Sequence, residues 1–260
     1  MDRNLPASHN RQSGDSDATA WKSRVAAAVT SLIDGSVEFV ELLTPDSLPD
    51  SLAGITGVEF SHKILLPGSF NPLHAGHVEM AGTAAQMPSD TDNSNPPVWF
   101  EIAIANADKP PLTADQVCTR LLPHLIADPK KEPATRHETF APYGLLITNA
   151  ATYLQKARLF PRTQFAIGTD TLIRVADPRF YSDSVSSRDQ AIGEICDAGC
   201  RFLVFGRVEN SAAGKSSAAG KFLELDDLKI PESLQRICDP IPATQFRLDL
   251  SSSELRGDAR

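Results

Sequence analysis

Two histidines lie three residues apart in "GSFNPLHAGH" (68–77), a turn rich in small residues that follows the apolar run "KILLP". Gly68 and Ser69 come directly after the predicted strand, where a glycine lets the backbone approach a ligand closely. His74 lies in the turn and His77 in the first turn of a predicted helix, so both imidazoles are expected at a helix N-terminus. Free N–H groups and partial positive charge make such an end a phosphate site. Imidazoles that donate to phosphoryl oxygens there would stabilise the charge that develops in phosphoryl or nucleotidyl transfer.

Other chemistry is open to the same residues. A His-x-x-His pair can ligate zinc, but the stretch holds no third histidine. A further alternative is that the two histidines are incidental surface residues. The concentration of Gly, Ser, Asn and Pro in one turn argues against it.

The four cysteines form no CxxC pair, and Cys196 and Cys200 are predicted to be buried thiols of a protein in a reducing compartment. The sequence therefore predicts no protein-held metal site.

The elements that must position the histidines alternate between strand and helix from Lys63 onward. Nearly continuous apolar strands in this alternation predict a doubly wound α/β fold with a mostly parallel sheet, covered on both faces. The predicted strands are 63–70, 98–106, 143–149, 163–170, 201–209 and "TQFRLDL" at 244–250. Ligands of such sheets bind beyond the carboxyl ends of the strands. Five residues at or just past predicted strand ends are therefore expected to converge on one edge: Gly68, Asn106, Asp170, Arg207 and Ser251.

The stretch "LSSSELR" (250–256) would bring a second phosphate-binding group to that edge. Ser251 and Glu254 fit a capping box, and Ser252, Ser253 and Arg256 complete a set of hydroxyls and a guanidinium at a helix start. Such a set can cradle a polyphosphate. A simple helix cap is the alternative for this stretch taken alone, but the histidine turn on the same edge favours catalysis.

Composition narrows the classes of function. The net charge is −8 and no long Lys/Arg run occurs, which argues against a nucleic-acid binder. Residues 1–20 are predicted to be a disordered tail without a secretory signal, 21–62 a cap segment with one helix ending near Gly35, and 63–260 the catalytic domain. No apolar stretch is long enough to span a membrane, so a cytoplasmic protein is expected. The sequence leaves the oligomeric state open, a homo-oligomer being one alternative.

"GSFNPLHAGH" and "SSSELR" together resemble the nucleotidylyltransferase superfamily of the His-x-Gly-His type, over roughly residues 63–260. Within it, "QFAIGTDTLIRVADPRFY", "FLVFGRVE" and "NADKPPL" are similar to the nicotinamide/nicotinate mononucleotide adenylyltransferase branch. The chain departs from that branch in a third serine where threonine is common, a long loop after Arg207 and an extra N-terminal segment. The resemblance implies a Rossmann-like fold that transfers the nucleotidyl group of ATP, with Mg²⁺, to a phosphorylated acceptor. Nicotinamide or nicotinate mononucleotide would be that acceptor, and pyrophosphate would be released.

The resemblance also implies roles for single residues. His74, His77 and Arg256 would be catalytic, with the histidines on the α-phosphate and Arg256 on the future pyrophosphate. Asp170 would bind ribose hydroxyls. A solvated loop lysine and a surface arginine are the alternatives for two members of the substrate-binding set, Lys109 and Arg207. That set consists of Gly68, Ser69, Phe70, Asn71, Gly76, Lys109, Gly168, Asp170, Arg207, Ser251, Ser252 and Ser253.

Alternatives to this function stay open. The same fold could join phosphopantetheine to ATP or a phosphorylated alcohol to CTP, or serve as a non-catalytic nucleotide-binding module. Trp99 could stack on a pyridine ring or belong to the core. "SAAGKSSAAGK" contains Gly-Lys-Ser, but a P-loop needs glycine where Glu209 stands, so this segment is interpreted as a loop.

Overall fold

The strands of the fold were identified in a computed structural model that describes residues 12–42, 63–87, 98–105, 110–125, 144–208 and 221–247. Seven of them form one sheet, and the other two form a small ribbon. In chain order they are β1 (Phe39–Leu42), β2 (Ile64–Pro67), β3 (Val98–Ala103), β4 (Gly144–Thr148), β5 (Gln164–Gly168), β6 (Arg201–Phe205), β7 (Arg207–Val208), β8 (Phe222–Leu223) and β9 (Cys238–Ile241).

The large sheet has the strand order β1-β4-β3-β2-β5-β6-β9. All neighbouring pairs are parallel except β1 with β4, which are antiparallel. Starting from β2, the parallel strands follow the order 3-2-1-4-5-6 of Rossmann-like sheets, so the direction of winding reverses between β2 and β5. The predicted doubly wound α/β fold with a mostly parallel sheet is confirmed, and its switch point lies directly after β2 and β5.

Helices cover both faces of the sheet because alternate strand residues point to opposite sides. One apolar core contains Leu66 and Phe100 of the sheet and lies under the first three helices, whereas the other contains Leu65 and Trp99 and lies under the next three. The helices are α1 (Gln12–Ile33), α2 (Ala75–Ala84), α3 (Ala114–Leu125), α4 (Tyr153–Leu159), α5 (Thr169–Ala176), α6 (Val185–Asp197) and α7 (Glu232–Gln235). No helix among the described residues is long and apolar enough to cross a membrane.

The last predicted strand is wrong where it can be compared with the structure. Residues 243–245 form a turn and 246–247 have no regular structure, while 248–250 lie outside the described residues. Phe246 is buried and meets Phe205 edge-on at a ring distance of 5.0 Å, so it reaches the core from a turn. The last strand of the sheet is instead β9, which carries Pro240 and lies at an edge, where a strand tolerates proline.

The N-terminal segment also differs from its prediction. Helix α1 begins at Gln12, so residues 12–20 of the predicted tail are helical, and residues 1–11 and 43–62 lie outside the described residues. Trp21 and Leu32 of α1 are buried in the core of the main domain. Because β1 pairs with β4, the segment before residue 63 adds a strand to the same sheet as well as a helix that covers it.

Of the two cysteines predicted to be buried, only Cys200 is buried, and the prediction for Cys196 is wrong. Cys200 is buried but follows the end of α6, and its thiol donates to the carbonyl of Phe160 at 3.4 Å. Cys196 lies on the exposed side of α6, because the helix buries Ile192 and Ile195 instead. All four cysteines are free.

Candidate functional site

A cavity of about 870 Å³ lies at the switch point, beyond the carboxyl ends of the central strands. Its wall includes Gly68 after β2, Ala103 at the end of β3, Gly168 at the end of β5 and Arg207 after β6. Small-molecule sites occupy about 300–1,000 Å³, so the cavity lies in the upper part of that range. The edge expected from the sequence is therefore lined by a cavity large enough for a nucleotide.

The turn between β2 and α2 is built around a buried phenylalanine. Phe70 has a φ of 42° and no exposed surface, and its ring meets Phe100 edge-on at 5.4 Å. A Cβ at Gly68 would lie 2.5 Å from Cε1 of Phe70, so the turn requires glycine there. The backbone N–H of Gly68 donates to the carbonyl of Glu101 at 2.9 Å, which ties the turn to β3. A left-handed φ at a bulky residue is a strained conformation that clusters at functional sites.

His74 and His77 hold one another at the start of α2. The backbone N–H of His74 donates to Nδ1 of His77 at 3.3 Å, and the backbone N–H of His77 donates to the carbonyl of His74 at 2.9 Å. Nδ1 of His77 is therefore an acceptor and carries no proton, which leaves the ring N–H of neutral His77 at Nε2. The imidazole rings are 3.9 Å apart, and Phe70 contacts the His77 ring edge-on at 5.2 Å. Both histidines line the cavity.

The environment of His74 favours its neutral form. Burial lowers the pKa of His74, and the positive charge of Arg207 lowers it further. Since an isolated histidine has a pKa of about 6.5, the His74 imidazole is neutral at pH 7. Both rings can thus act as neutral hydrogen-bond partners beside the free N–H groups of α2.

A second group of predicted residues meets at the start of α5. Arg207 Nη1 donates to Asp170 Oδ2 at 2.9 Å, and both residues line the cavity. A Cβ at Gly168 would lie 2.6 Å from Asp170 Oδ1, so a side chain there would displace the carboxylate. The structure therefore brings Gly168, Asp170 and Arg207 together on the β5 side of the cavity.

Phe70, predicted to bind substrate, is fully buried and is not part of the cavity wall, because its ring packs into the core, whereas the other predicted residues near the turn line the cavity. Ser69 and Asn71 lie on the exposed part of the turn, and Gly76 is buried in the first turn of α2. The remaining predicted site residues lie outside the described residues: Lys109, Ser251, Ser252, Ser253 and Arg256.

Trp99 does not belong to the site, and the stacking interpretation of this residue is wrong. It lies near the beginning of β3, at the end of the sheet away from the cavity, and is 8% exposed. Its ring fills the space above Gly144, with the ammonium of Lys63 4.9 Å from the ring centre. Trp99 is a core residue.

Two arginines of the cavity wall were not found from the sequence. Arg120 reaches from α3 and donates from Nη1 to the carbonyl of Ser69 at 3.1 Å, next to the histidine turn. Nothing in its local spacing marks it. Arg174 lies four residues after Asp170 on α5, and this spacing places both side chains on one helix face. That spacing was a usable signal.

A buried polar cluster that was not predicted contributes Glu101 and Lys156 to the cavity wall. We call Glu101, Thr148 and Lys156 the Glu101 cluster. Oε1 of Glu101 accepts hydrogen bonds from Lys156 Nζ at 2.6 Å and from the Thr148 hydroxyl, and Lys156 Nζ also donates to the carbonyl of Ala150 at 2.8 Å. Oε2 of Glu101 is buried and has no hydrogen-bond partner among the described residues. An unsatisfied buried polar atom costs about 1–3 kcal/mol, so this oxygen requires an explanation.

Neither a metal cluster nor a known relative accounts for this site. Within the described ranges, no three His, Cys, Asp or Glu side chains are grouped so as to hold a metal ion, and the zinc alternative for His74 and His77 finds no third ligand there. Comparisons with models of known families, with curated proteins and with solved structures find no match to the chain.

Proposed function

We propose that this protein is a nucleotidyltransferase that joins the adenylyl group of ATP to a phosphorylated acceptor and releases pyrophosphate. The acceptor proposed is nicotinamide or nicotinate mononucleotide, which would give a dinucleotide. The observation that carries the proposal is the pair of mutually hydrogen-bonded histidines at the N-terminus of α2, inside the switch-point cavity. A helix N-terminus with ring N–H donors beside it is suited to hold phosphoryl oxygens.

The proposed reaction needs no general base, because the acceptor phosphate is already ionised at neutral pH. One of its oxygens attacks the α-phosphorus of ATP in line, and the bond from that phosphorus to the bridging oxygen of the β-phosphate breaks. Pyrophosphate leaves with the electron pair. Charge spreads over the α-phosphate oxygens, and Nε2–H of His77 and backbone N–H groups at the start of α2 would stabilise it.

The remaining residues would position the two substrates. Asp170 and Arg207 lie on the β5 side of the cavity and are proposed to hold the nucleoside part of ATP. Arg120 adds positive charge beside Ser69, where the triphosphate would pass. The resemblance assigns the β- and γ-phosphates to Arg256 with Ser251, Ser252 and Ser253, and a further phosphate contact to Lys109. Positioning of this kind accounts for much of the rate in phosphoryl transfer.

Mg²⁺ is proposed to enter with ATP as part of the substrate. It prefers octahedral oxygen ligands, keeps several waters and is commonly bound through substrate phosphates with one or two carboxylates. An ion held in this way by the substrate phosphates needs no cluster of protein carboxylates. A cytoplasmic location remains part of the proposal, and four free cysteines are in keeping with a reducing compartment.

Product analysis tests the proposal. The full chain would be incubated with MgATP or MgCTP and, separately, with nicotinamide mononucleotide, nicotinate mononucleotide, phosphopantetheine and a phosphorylated alcohol. Mass spectrometry would identify the product. A dinucleotide formed only from ATP and a pyridine mononucleotide supports the proposal, a product from another pair reassigns the substrates, and nucleotide binding without any product contradicts catalysis.

A further inference from the structure

We propose that Glu101 binds the end of the acceptor that lies farthest from its phosphate, and that it selects an uncharged amide over a carboxylate at that end. The inference rests on the proposed function, since it assigns a subsite for the acceptor of that reaction. It starts from Oε2 of Glu101, a carboxylate oxygen buried in the wall of the cavity without a donor among the described residues.

The structural role of Glu101 is met by its other oxygen. Lys156 and Thr148 both donate to Oε1. The residue is 1% exposed, and Oε2 has no hydrogen-bond donor among the described residues. A buried oxygen of this kind in a binding cavity is complementary to a ligand that brings an N–H or O–H donor.

The position of the cluster suits one end of a ligand whose other end lies at the histidines. The carbonyl of Glu101 accepts the hydrogen bond from the N–H of Gly68, so its backbone adjoins the start of the histidine turn. The side chain points to the opposite face of the sheet from Phe100, toward α4, where Thr152, Tyr153 and Lys156 also line the cavity. An acceptor phosphate near His77 would therefore place the rest of the molecule toward Glu101.

Charge and donor pattern in the cluster favour a primary amide. Lys156 directs two N–H bonds to Glu101 Oε1 and to the carbonyl of Ala150, and an ammonium group has a third. A carboxamide can donate its N–H to Oε2 of Glu101 and accept from this third N–H. A carboxylate would instead bring two acceptor oxygens against an acceptor, with like charges facing each other. Burial and the charges of Glu101 and Asp170 raise the pKa of Tyr153, so its hydroxyl is also neutral.

Relative specificity for two probes tests the inference. Pyrophosphate release from MgATP would be measured with nicotinamide mononucleotide and with nicotinate mononucleotide, for wild type and Glu101→Gln. In the variant, the amide oxygen can take the place of Oε1 and the NH₂ group that of Oε2, so the subsite changes from acceptor to donor. We expect wild type to prefer the amide in kcat/KM by at least about 10-fold, and Glu101→Gln to reduce or reverse this preference by about 10- to 100-fold, as for hydrogen bonds to charged groups.

Glu41→Gln is the matched control. Glu41 on β1 also has a buried Oε2 without a partner among the described residues, but it is not part of the cavity wall. Glu41→Gln is the same chemical change, and the preference of this variant for the amide acceptor is expected to equal that of wild type. Should Glu101→Gln fail to fold, as judged by thermal melting and ATP binding, Glu101→Asp keeps the charge opposite Lys156 but retracts the carboxylate. That variant is expected to reduce the wild-type preference for the amide acceptor by about 10-fold.

The failure of the inference and that of the proposed function give different results. If wild type turns over both mononucleotides and the folded Glu101 variants keep its preference, the inference is overturned and the proposed function stands. If wild type releases pyrophosphate with neither mononucleotide, the proposed acceptors are wrong, and the assignment of Glu101 falls with them.

Discussion

The backbone N–H of His74 donates to Nδ1 of His77 across 3.3 Å, so the residue that caps α2 also fixes the ring of the residue three positions later. One hydrogen bond thereby performs two tasks. It satisfies a backbone donor at the helix start, and it leaves the N–H of the neutral His77 ring at Nε2. The structural and chemical tasks of His77 use different ring nitrogens and can be separated by substitution.

His77→Asn is expected to keep the structural task. Its Oδ1 takes nearly the position of Nδ1 and can accept from the N–H of His74, whereas His77→Ala leaves that N–H without its side-chain partner. We expect the free energy of unfolding of His77→Asn to lie close to that of wild type, and that of His77→Ala to fall by about 1 kcal/mol, as for other lost caps. Denaturant unfolding of the three proteins measures the difference. Equal stability of His77→Ala and wild type would show that the hydrogen bond contributes nothing.

Gly168→Ala is expected to damage the nucleoside side of the cavity. The added Cβ would lie 2.6 Å from Asp170 Oδ1, so the carboxylate must rotate away from its ion pair with Arg207. A displaced positioning group can lower kcat/KM by about 10- to 100-fold, and steady-state kinetics with varied MgATP would show the loss.

Gly193→Ala is the control for that substitution. Gly193 lies within α6, and a Cβ there would meet no atom within 4 Å. The change is expected to stabilise the protein by about 0.5–1 kcal/mol and to leave kcat/KM unaltered. Wild-type kinetics in folded Gly168→Ala would mean that Asp170 has no part in positioning ATP.

Binding of ATP is expected to be linked to protonation of His74. Burial and the charge of Arg207 lower the pKa of His74 in the free protein, and bound phosphates would raise it again. The affinity for MgATP should therefore increase as the pH falls from about 7.5 to about 6, with proton uptake. Calorimetric titration in buffers of different ionisation enthalpy measures that uptake. His74→Gln is the comparison, and an identical pH dependence in both proteins would assign the proton to another group.

The stability of the free protein should depend on pH through the same residue. A histidine whose pKa is lower in the folded state binds more protons when unfolded. The free energy of unfolding therefore decreases as the pH falls from about 6.5 through the lowered pKa of His74. Above pH 6.5, His74 does not change the free energy of unfolding. Thermal melting of wild type should fall more steeply below pH 6.5 than that of His74→Gln. Parallel curves would contradict the lowered pKa.

The sequence was informative where the signal is local. An apolar run, a glycine and a proline mark the turn before His74, and the alternation of strand and helix predicts a parallel sheet with Gly68 and Asp170 on one edge. Each of these inferences depends on residues only a few positions apart. The start of α3 depends on an equally local contact, since the hydroxyl of Thr113 accepts from the N–H of Gln116 at 3.3 Å.

Features that depend on distant partners were not predictable from one sequence. Glu101 stands in an apolar strand and its partner Lys156 follows 55 residues later, so only the fold shows that they form a buried pair. Strand β9 was not predicted because it contains Pro240, a residue that is unusual in strands. The alternating pattern of 244–250 predicts a strand instead, but Phe246 packs against Phe205 just after a turn. Arg120 reaches Ser69 because α3 packs against the sheet, and no local sequence spacing predicts this contact.

The most direct test of the account is pyrophosphate release from MgATP and nicotinamide mononucleotide by wild type and His77→Asn. The asparagine keeps the acceptor for the N–H of His74 but removes Nε2–H, so a folded variant isolates the chemical task of the ring. We expect turnover by wild type and a loss of about 100- to 1,000-fold in kcat for the variant, as for other lost transition-state donors. If a folded His77→Asn turns over as fast as wild type, the His77 ring has no part in catalysis.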